Sequence, residues 1–366
     1  MSDIYMREAL ELARRGCGVT SPNPAVGCVV VREGRVVGRG FHTWAGVDHA
    51  EVLALREAGD AARGSAMYVT LEPCFHQGRT GPCVDAVLKA GVSRVIAAMQ
   101  DPNSETGGKS SAKLREAGVD VVVDESCTAE AERLNEAFVH FMRTGRPLVT
   151  IKAALTLDGK IAAPHDNVGW ITSEVARADV QLVRHYSDAI LTGLGTVLED
   201  DCLLTDRSGR ERARPLLRIV LDSQLRVPLR SKMITSAKGD VLVVGTSAAS
   251  QERRKALENA GIQVLIADGP SGRTDPRKVL DFLAKERYPS LMVEAGSKVN
   301  WTMLDTGIAD KVLFYYAPKI LGGLESLPVA GGKGRMRRVD AIQLERLTVQ
   351  TVSTDEFAVE AYVVKS

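Results

Sequence analysis

The apolar residues between Ile4 and Arg15 recur at helical spacing, which predicts an amphipathic helix near the start of the chain. Shorter apolar runs follow. Gly27 to Val31 and Arg35 to Gly38 predict a hairpin around Glu33-Gly34, Ala50 to Glu57 a helix, and Met67 to Leu71 a strand. Val84 to Lys89 reads as a helix closed by Gly91, and Arg94 to Met99 as the next strand. Leu114 to Val123 repeats this unit, with Gly118 placed to stop a helix before the strand Val121-Val122-Val123. Strand and helix in alternation predict an α/β layer with a largely buried sheet.

A predicted helix from about Ala129 to Met142 runs into Arg143-Thr144-Gly145-Arg146-Pro147, where glycine, proline and charge break the pattern. The domain boundary is expected there, dividing residues 1–146 from 147–366. Beyond it, Leu148 to Ala153, Ala189 to Thr192, Leu216 to Asp222, Asp240 to Gly245, Gln263 to Ala267, Ser290 to Glu294, Lys311 to Tyr316 and Ala358 to Val364 predict strands. Helices are expected at Glu174 to Tyr186, Ser250 to Ala260, Arg277 to Lys285 and Val299 to Gly307. The second half is again α/β. No internal repeat is visible, and Gly322-Gly323 and Gly331-Gly332 mark a loose region near the C-terminus.

At roughly 150 residues per domain, the length of 366 residues agrees with two domains. Lys plus Arg total 47 against 46 for Asp plus Glu. The balance is 17 basic to 19 acidic residues before the boundary and 30 to 27 after it, so neither half is a basic module. Nucleic acid and anionic membranes are therefore not expected partners. The N-terminus carries acidic residues and no long apolar run, which fits neither a secretory signal nor a transit peptide. A cytoplasmic protein is expected. Six cysteines are too sparse for a disulfide scaffold, and in a reducing compartment a subset is expected to bind metal or do chemistry.

The strongest chemical signal is His49-Ala50-Glu51, followed after a strand by Pro73-Cys74 and then Pro82-Cys83. One imidazole and two thiolates leave the fourth tetrahedral position of a Zn²⁺ open for water, as a catalytic site requires, and zinc brings that water's pKa down to about 7. A carboxylate two residues from the histidine then suits proton transfer between water and a departing amine, which makes Glu51 the acid/base candidate. Asp48 and Glu51 also fit a capping box, a reading in which Glu51 merely starts a helix. Cys17, Cys28, Cys127 and Cys202 have no comparable setting and are read as structural.

This pattern resembles the zinc nucleobase deaminases, whose cysteines commonly stand two residues apart. Here eight residues, Phe75 to Pro82, separate Cys74 from Cys83, a spacing that resembles the pyrimidine deaminase of riboflavin biosynthesis. Ser21-Pro22-Asn23-Pro24-Ala25-Val26-Gly27, Gly40-Phe41-His42 with Gly46, and Gln100-Asp101-Pro102-Asn103 resemble further segments of that enzyme. In the second half, residues Ile151 to Lys160, Gly169 to Ser173, Thr196 to Asp201, Val293 to Ser297 and Ala317 to Gly323 resemble the reductase of the same pathway. The resemblance to the bifunctional riboflavin-biosynthesis deaminase/reductase family runs from about residue 2 to 364. It implies an α/β chain, with a cytidine-deaminase-like three-layer domain at 1–146 and a dihydrofolate-reductase-like domain at 147–366.

Carried over residue by residue, the resemblance implies Zn²⁺ on His49, Cys74 and Cys83, Glu51 as catalytic residue, and Asn23, His42, Arg79, Thr80 and Asn103 on the pyrimidine. It implies NADPH on Ala154, Trp170, Thr196, Asp200, Ser223, Gly296, Ser297, Lys298, Val299, Asn300, Trp301 and Thr302. Val168, Arg184, Leu204, Arg207 and Glu294 would touch the reductase substrate, with Arg184 and Arg207 on its phosphate. Taken alone, Arg177 and Arg184, seven apart on one helix face, also fit solvated surface charge. No Gly-x-Gly-x-x-Gly follows a strand, so the cofactor pyrophosphate is expected instead at the helix start after Val293-Glu294-Ala295-Gly296. Val168, Cys202 and Ser104-Glu105-Thr106 depart from the family pattern.

The implied substrate is a small molecule, 2,5-diamino-6-ribosylamino-4(3H)-pyrimidinone 5′-phosphate, deaminated in the first domain and reduced from ribosyl to ribityl in the second. Lys152, Asp200 and Glu294 all remain open as aids to hydride transfer. A homo-oligomer is expected. A nucleic-acid deaminase is disfavoured by the near-neutral charge of both halves, and a non-catalytic binding protein by the intact His49, Glu51, Cys74 and Cys83 set.

Overall fold

The computed structural model describes residues 2–43, 47–75, 81–165 and 168–365. The chain divides into two compact units, Met1–Arg146 with Glu211–Arg214, and Pro147–Arg210 with Pro215–Ser366.

In the first unit, strands β1 (Gly27–Arg32), β2 (Arg35–Phe41), β3 (Ala66–Val69), β4 (Arg94–Ala97) and β5 (Asp120–Val123) form one sheet in the order β2-β1-β3-β4-β5. The hairpin β1–β2 turns at Glu33 and Gly34, both at positive φ, and β3, β4 and β5 run parallel. Helices are α1 (Ser2–Arg14), α2 (Ala50–Ala58), α3 (Cys83–Ala90), α4 (Lys109–Glu116), α5 (Glu125–Leu134) and α6 (Glu136–Thr144).

Helix α2, which carries the metal motif, lies directly on β2. A Cβ on Gly38 or Gly40 would come within 2.1 Å of the carbonyl oxygens of Ala54 and Ala50, so only glycine permits this approach. Gly27 makes the same close approach to α1, and the register pairs Gly27 with Phe41 but Cys28 with Gly40. Alternate residues face opposite sides of a sheet, so α1 and α2 cover opposite faces and the unit has three layers.

The sequence predicts one helix across Ala129 to Met142, whereas the structure has two, interrupted at Asn135. The buried Asn135 amide accepts from the Ala25 backbone N–H at 2.8 Å and donates to the Ala25 carbonyl at 3.0 Å. That pairing satisfies a loop that lies 110 residues away.

The second unit contains β6 (Leu148–Thr156), β7 (Lys160–Ala162), α7 (Glu174–Tyr186), β8 (Ala189–Gly193), α8 (Leu194–Asp200), β9 (Leu217–Leu221), α9 (Lys232–Thr235), β10 (Val241–Gly245), α10 (Gln251–Asn259) and β11 (Gln263–Ile266). It continues with α11 (Pro276–Lys285), β12 (Ser290–Val293), α12 (Ser297–Asp305), β13 (Lys311–Ala317), β14 (Leu327–Pro328), β15 (Leu344–Thr351) and β16 (Phe357–Val363). Nine strands form one sheet, β11-β10-β9-β8-β12-β6-β13-β16-β15, parallel through β13 and antiparallel at β16 and β15. Buried aliphatic side chains of the parallel strands, such as Ile151, Leu191, Ile219 and Val293, build the core. Strand β15 carries no alternating apolar pattern and is exposed along its whole length, which is why periodicity does not reveal it.

Candidate functional site

Three elements bring the metal motif together. His49 precedes α2, Cys74 follows β3, and Cys83 opens α3. His49 Nδ1 lies 3.1 Å from Cys83 Sγ and 3.5 Å from Cys74 Sγ, and the three ligand atoms all lie within 4.8 Å of one another. Zinc bonds of about 2.0–2.3 Å in a tetrahedron separate ligand atoms by about 3.3–3.8 Å, so this donor set fits Zn²⁺ with a small adjustment. Helix α3 contributes its first N–H, which donates from Cys83 to Cys74 Sγ at 3.2 Å. Hydrogen bonds from the Cys83 thiol and from His49 hold the Cys74 thiol down to about 4, against the opposing effect of burial. The same thiol pairing, with burial, pushes Cys83 up, and the bond to Cys74 raises His49. Both sulfurs must be deprotonated to hold a metal, and the Cys83 N–H and His49 favour the thiolate at Cys74.

Glu51 is 3 % exposed, in the first turn of α2. Burial pushes its carboxyl up to about 7, with the Cys74 thiolate adding to the rise and His49 and the Cys83 thiol opposing it. No side chain caps α2, whose N-cap is His49, and Asp48 pairs instead with Arg56. The capping-box geometry is therefore absent.

His42 is buried, its ring edge-on to His49 at 5.1 Å and its Nε2 3.5 Å from Asn23 Nδ2. Burial and the neighbouring His49 lower its pKa. Asn23 belongs to the loop that Asn135 anchors through Ala25. Asn103 is half-buried, with its side-chain oxygen accepting from the Glu105 N–H at 3.0 Å. Arg79 and Thr80 lie outside the described residues.

Sequence reasoning missed Glu72, a 4 % exposed carboxylate two residues before Cys74. It accepts from the N–H groups of Asp101, Gly108 and Ser111 and from the hydroxyls of Ser110 and Ser111, at 2.7–3.1 Å, and so ties the Asn103 loop to the strand end that presents Cys74. A carboxylate set between Leu71 and Pro73 at the end of an apolar run was the available signal.

In the second unit the C-terminal ends of four neighbouring parallel strands deliver candidates to one edge of the sheet. Ser223 follows β9, Thr196 follows β8, Glu294 and Gly296 follow β12, and Ala154 lies near the end of β6. Helix α12 starts at Ser297 with no side-chain cap, and the buried Ser297 Oγ and Asn300 Oδ1 have no hydrogen-bond partner among the described residues. An uncapped helix start beside orphaned polar atoms fits a cofactor phosphate. Lys298 is exposed, while Val299, Trp301 and Thr302 are half-buried on the same helix. The close approach of Gly193 to Val299, where a Cβ would sit 3.0 Å from Val299 Cγ2, packs the start of α8 against it.

Glu294, half-buried, is the hub of a charge cluster with the buried Lys152 and Arg184. Arg184 Nη2 donates to both its oxygens at 2.9 Å, Arg184 Nε adds a bond at 3.1 Å, and Lys152 Nζ lies 3.2 Å away. Burial pulls the Glu294 carboxyl up, but Lys152 and Arg184 hold it below the usual range. Arg184 also donates to the Thr205 carbonyl at 3.1 Å. Arg207 is exposed, and its guanidinium has no partner among the described residues. Asp200, ending α8, is raised by burial and by Glu199 and Glu294. Leu204 is buried at φ +50°, Val168 is almost fully exposed, and Trp170 stacks under the Arg177 guanidinium at 4.9 Å. Arg177 also donates to the Thr172 carbonyl, so it is not a loose surface charge.

Residues 2–99 match the cytidine and deoxycytidylate deaminase zinc-binding region, and residues 147–356 match the RibD C-terminal domain. The chain is 40% identical to riboflavin biosynthesis protein RibD of Escherichia coli (strain K12), covering 96% of this chain and 97% of that one, and 40% identical to RibD of Aquifex aeolicus, covering 96% of each. Among solved structures, Acinetobacter baumannii RibD superposes with a TM-score of 0.88 at 35% identity, covering 99% of this chain and 98% of that one. The deaminase/uracil reductase of Thermotoga maritima superposes at 0.84 with 32% identity and the same coverage. Fold and site together define a zinc-binding deaminase domain joined to an NADPH-dependent reductase domain. The chain belongs to the RibD family, the bifunctional deaminase/reductases of riboflavin biosynthesis. Among the described residues no helix is long and apolar enough to cross a membrane.

Proposed function

We propose that the first unit hydrolyses the 2-amino group of 2,5-diamino-6-ribosylamino-4(3H)-pyrimidinone 5′-phosphate and that the second reduces the ribosyl group of the product to ribityl. The observation that carries the first step is a buried carboxyl, Glu51, packed beside three convergent metal ligands. His49, Cys74 and Cys83 would hold Zn²⁺, which when bound activates a water for attack on the amidine carbon. Glu51 takes the proton from water and returns it to the departing nitrogen, so that a C–O bond replaces a C–N bond and ammonia leaves. Asn23, His42 and Asn103 would orient the pyrimidine.

In the second unit Gly296 to Thr302, with Ala154, Trp170, Thr196, Asp200 and Ser223, would hold NADPH, which supplies a hydride for C1′. Glu294, fixed by Lys152 and Arg184, faces the sugar, while Leu204 and Val168 border it. Arg207 would take the 5′-phosphate. Arg184 supports that contact from behind, because its guanidinium is already bound to Glu294 and to the Thr205 carbonyl.

Supplying the diamino substrate with and without NADPH tests the order of steps. Ammonia should appear without NADPH, and NADPH should be oxidised only once deaminated product exists. Oxidation of NADPH with no ammonia released would overturn this order. Arg207→Ala should raise the reductase KM about 10- to 150-fold, since a charged hydrogen bond contributes about 1.5–3 kcal/mol, and should leave ammonia release unchanged. An unmoved KM would return Arg207 to the solvated surface.

We also propose a homodimer in the cytoplasm, built on strand β15. Its outer edge pairs with no strand among the described residues, it is exposed throughout, and Leu347 and Val349 are 59% and 62% exposed. Such an edge is a template for another strand. Sedimentation should give twice the chain mass of 39.4 kDa for the native protein, and a Val349→Lys variant should shift to the monomer. A native monomer would sink the proposal. The six cysteines are all free thiols, in keeping with a reducing compartment.

A further inference from the structure

We infer that helix α7 is a positioning element for Arg207, holding the chain that leads into it through Gln181, Arg184 and His185; the inference rests on the reading of Arg207 as the phosphate contact. These three residues, at i, i+3 and i+4, share one helix face. Gln181 Oε1 accepts from the Arg207 N–H at 2.9 Å. Arg184 Nη1 donates to the Thr205 carbonyl at 3.1 Å. His185 Nδ1 lies 3.0 Å from Asp206 Oδ2, with the two side chains only 2% and 6% exposed. The second Asp206 oxygen accepts from the Ser208 N–H at 2.9 Å, closing the turn just past Arg207.

One turn of helix thus engages residues 205, 206 and 207 in succession. The loop needs such a grip, because Asp201 and Leu204 sit at φ +41° and +50°, conformations that non-glycine residues rarely adopt. The guanidinium of Arg207 is left out of the network and faces solvent with no partner among the described residues. A chain held at three successive residues, through the Thr205 carbonyl, the Asp206 side chain and the Arg207 N–H, lowers the ordering cost of closing an uncommitted cation on an anion. Arg184 also binds Glu294, so the helix sets the phosphate contact and the sugar-facing carboxylate in one frame. Gln181, His185 and Asp206 touch no reacting atom and act only through Arg207.

Steady-state reduction of 5-amino-6-(5-phosphoribosylamino)uracil by the full chain, compared with the same compound lacking its 5′-phosphate, tests this. Asp206→Ala should raise KM about 2- to 10-fold for the phosphorylated substrate, the range expected from losing an ordinary hydrogen bond. kcat and the KM for the dephosphorylated compound should stay within about twofold of native. Asp206→Asn, which keeps the size and one of the two acceptor oxygens, should restore part of the loss. Gln181→Ala, at a half-buried position, should repeat the split and decides the matter if Asp206→Ala does not fold. Equal rises in KM for both compounds, or no rise for either, would overturn the inference. If Arg207→Ala raises KM and neither α7 contact does, the positioning role alone fails; if Arg207→Ala is also silent, the phosphate reading fails and takes the positioning role with it.

Discussion

Replacing Glu51 with glutamine should lower ammonia release by about 10²- to 10⁴-fold, the usual contribution of a general acid/base group, while leaving bound zinc in place. The two side chains have the same shape, so the packing of α2 on β2 is kept, and Glu51 is not among the convergent ligands. What is lost is a buried carboxyl beside the convergent ligands, able to accept a proton from water and return it to the departing nitrogen. Ammonia assay and metal analysis on the same preparation check both halves of the expectation. Reduction of already deaminated substrate by this variant should be unchanged, because every reductase candidate lies in the other unit. Near-native ammonia release would reduce Glu51 to a packing residue of the helix start.

Cys83→Ala should take zinc from about one per chain to near zero and abolish deamination with it. A catalytic zinc site has only three protein ligands, so removing one leaves a two-ligand site. Cys83 is fully buried at the start of α3, and its backbone N–H also steadies Cys74, so no neighbouring cysteine can replace its sulfur without moving that helix. Cys127→Ala is the matched control, since Cys127 is buried in the α5 packing away from the ligand set and should keep full metal. Full zinc in Cys83→Ala would mean that the His49–Cys74–Cys83 triad is not the metal site.

Much of the architecture is legible along the chain. Helix α7 begins where the sequence predicts because Ser173 accepts from the Ala176 N–H and an amphipathic stripe follows, both of them local features. The β1–β2 hairpin is equally local, its turn set by Glu33-Gly34. The His-x-Glu and Pro-Cys steps declare metal chemistry because the donor types and their junctions with helices and strands can be read directly. Asn135 reads as helix interior until its amide is seen on Ala25, and Arg184 reads as surface charge until it is seen on Glu294.

What the sequence determined by itself is therefore whatever neighbouring residues settle among themselves: element type, caps, turns, the alternation of an α/β chain and the candidate metal donors. Only the tertiary structure decided which distant groups meet. His49 and Cys83 are 34 residues apart, Glu72 and Ser111 39, and Asn135 and Ala25, like Arg184 and Glu294, 110. Periodicity reports which face of an element is buried, but not which partner buries it. A buried polar group must find its partner wherever the packed chain provides one.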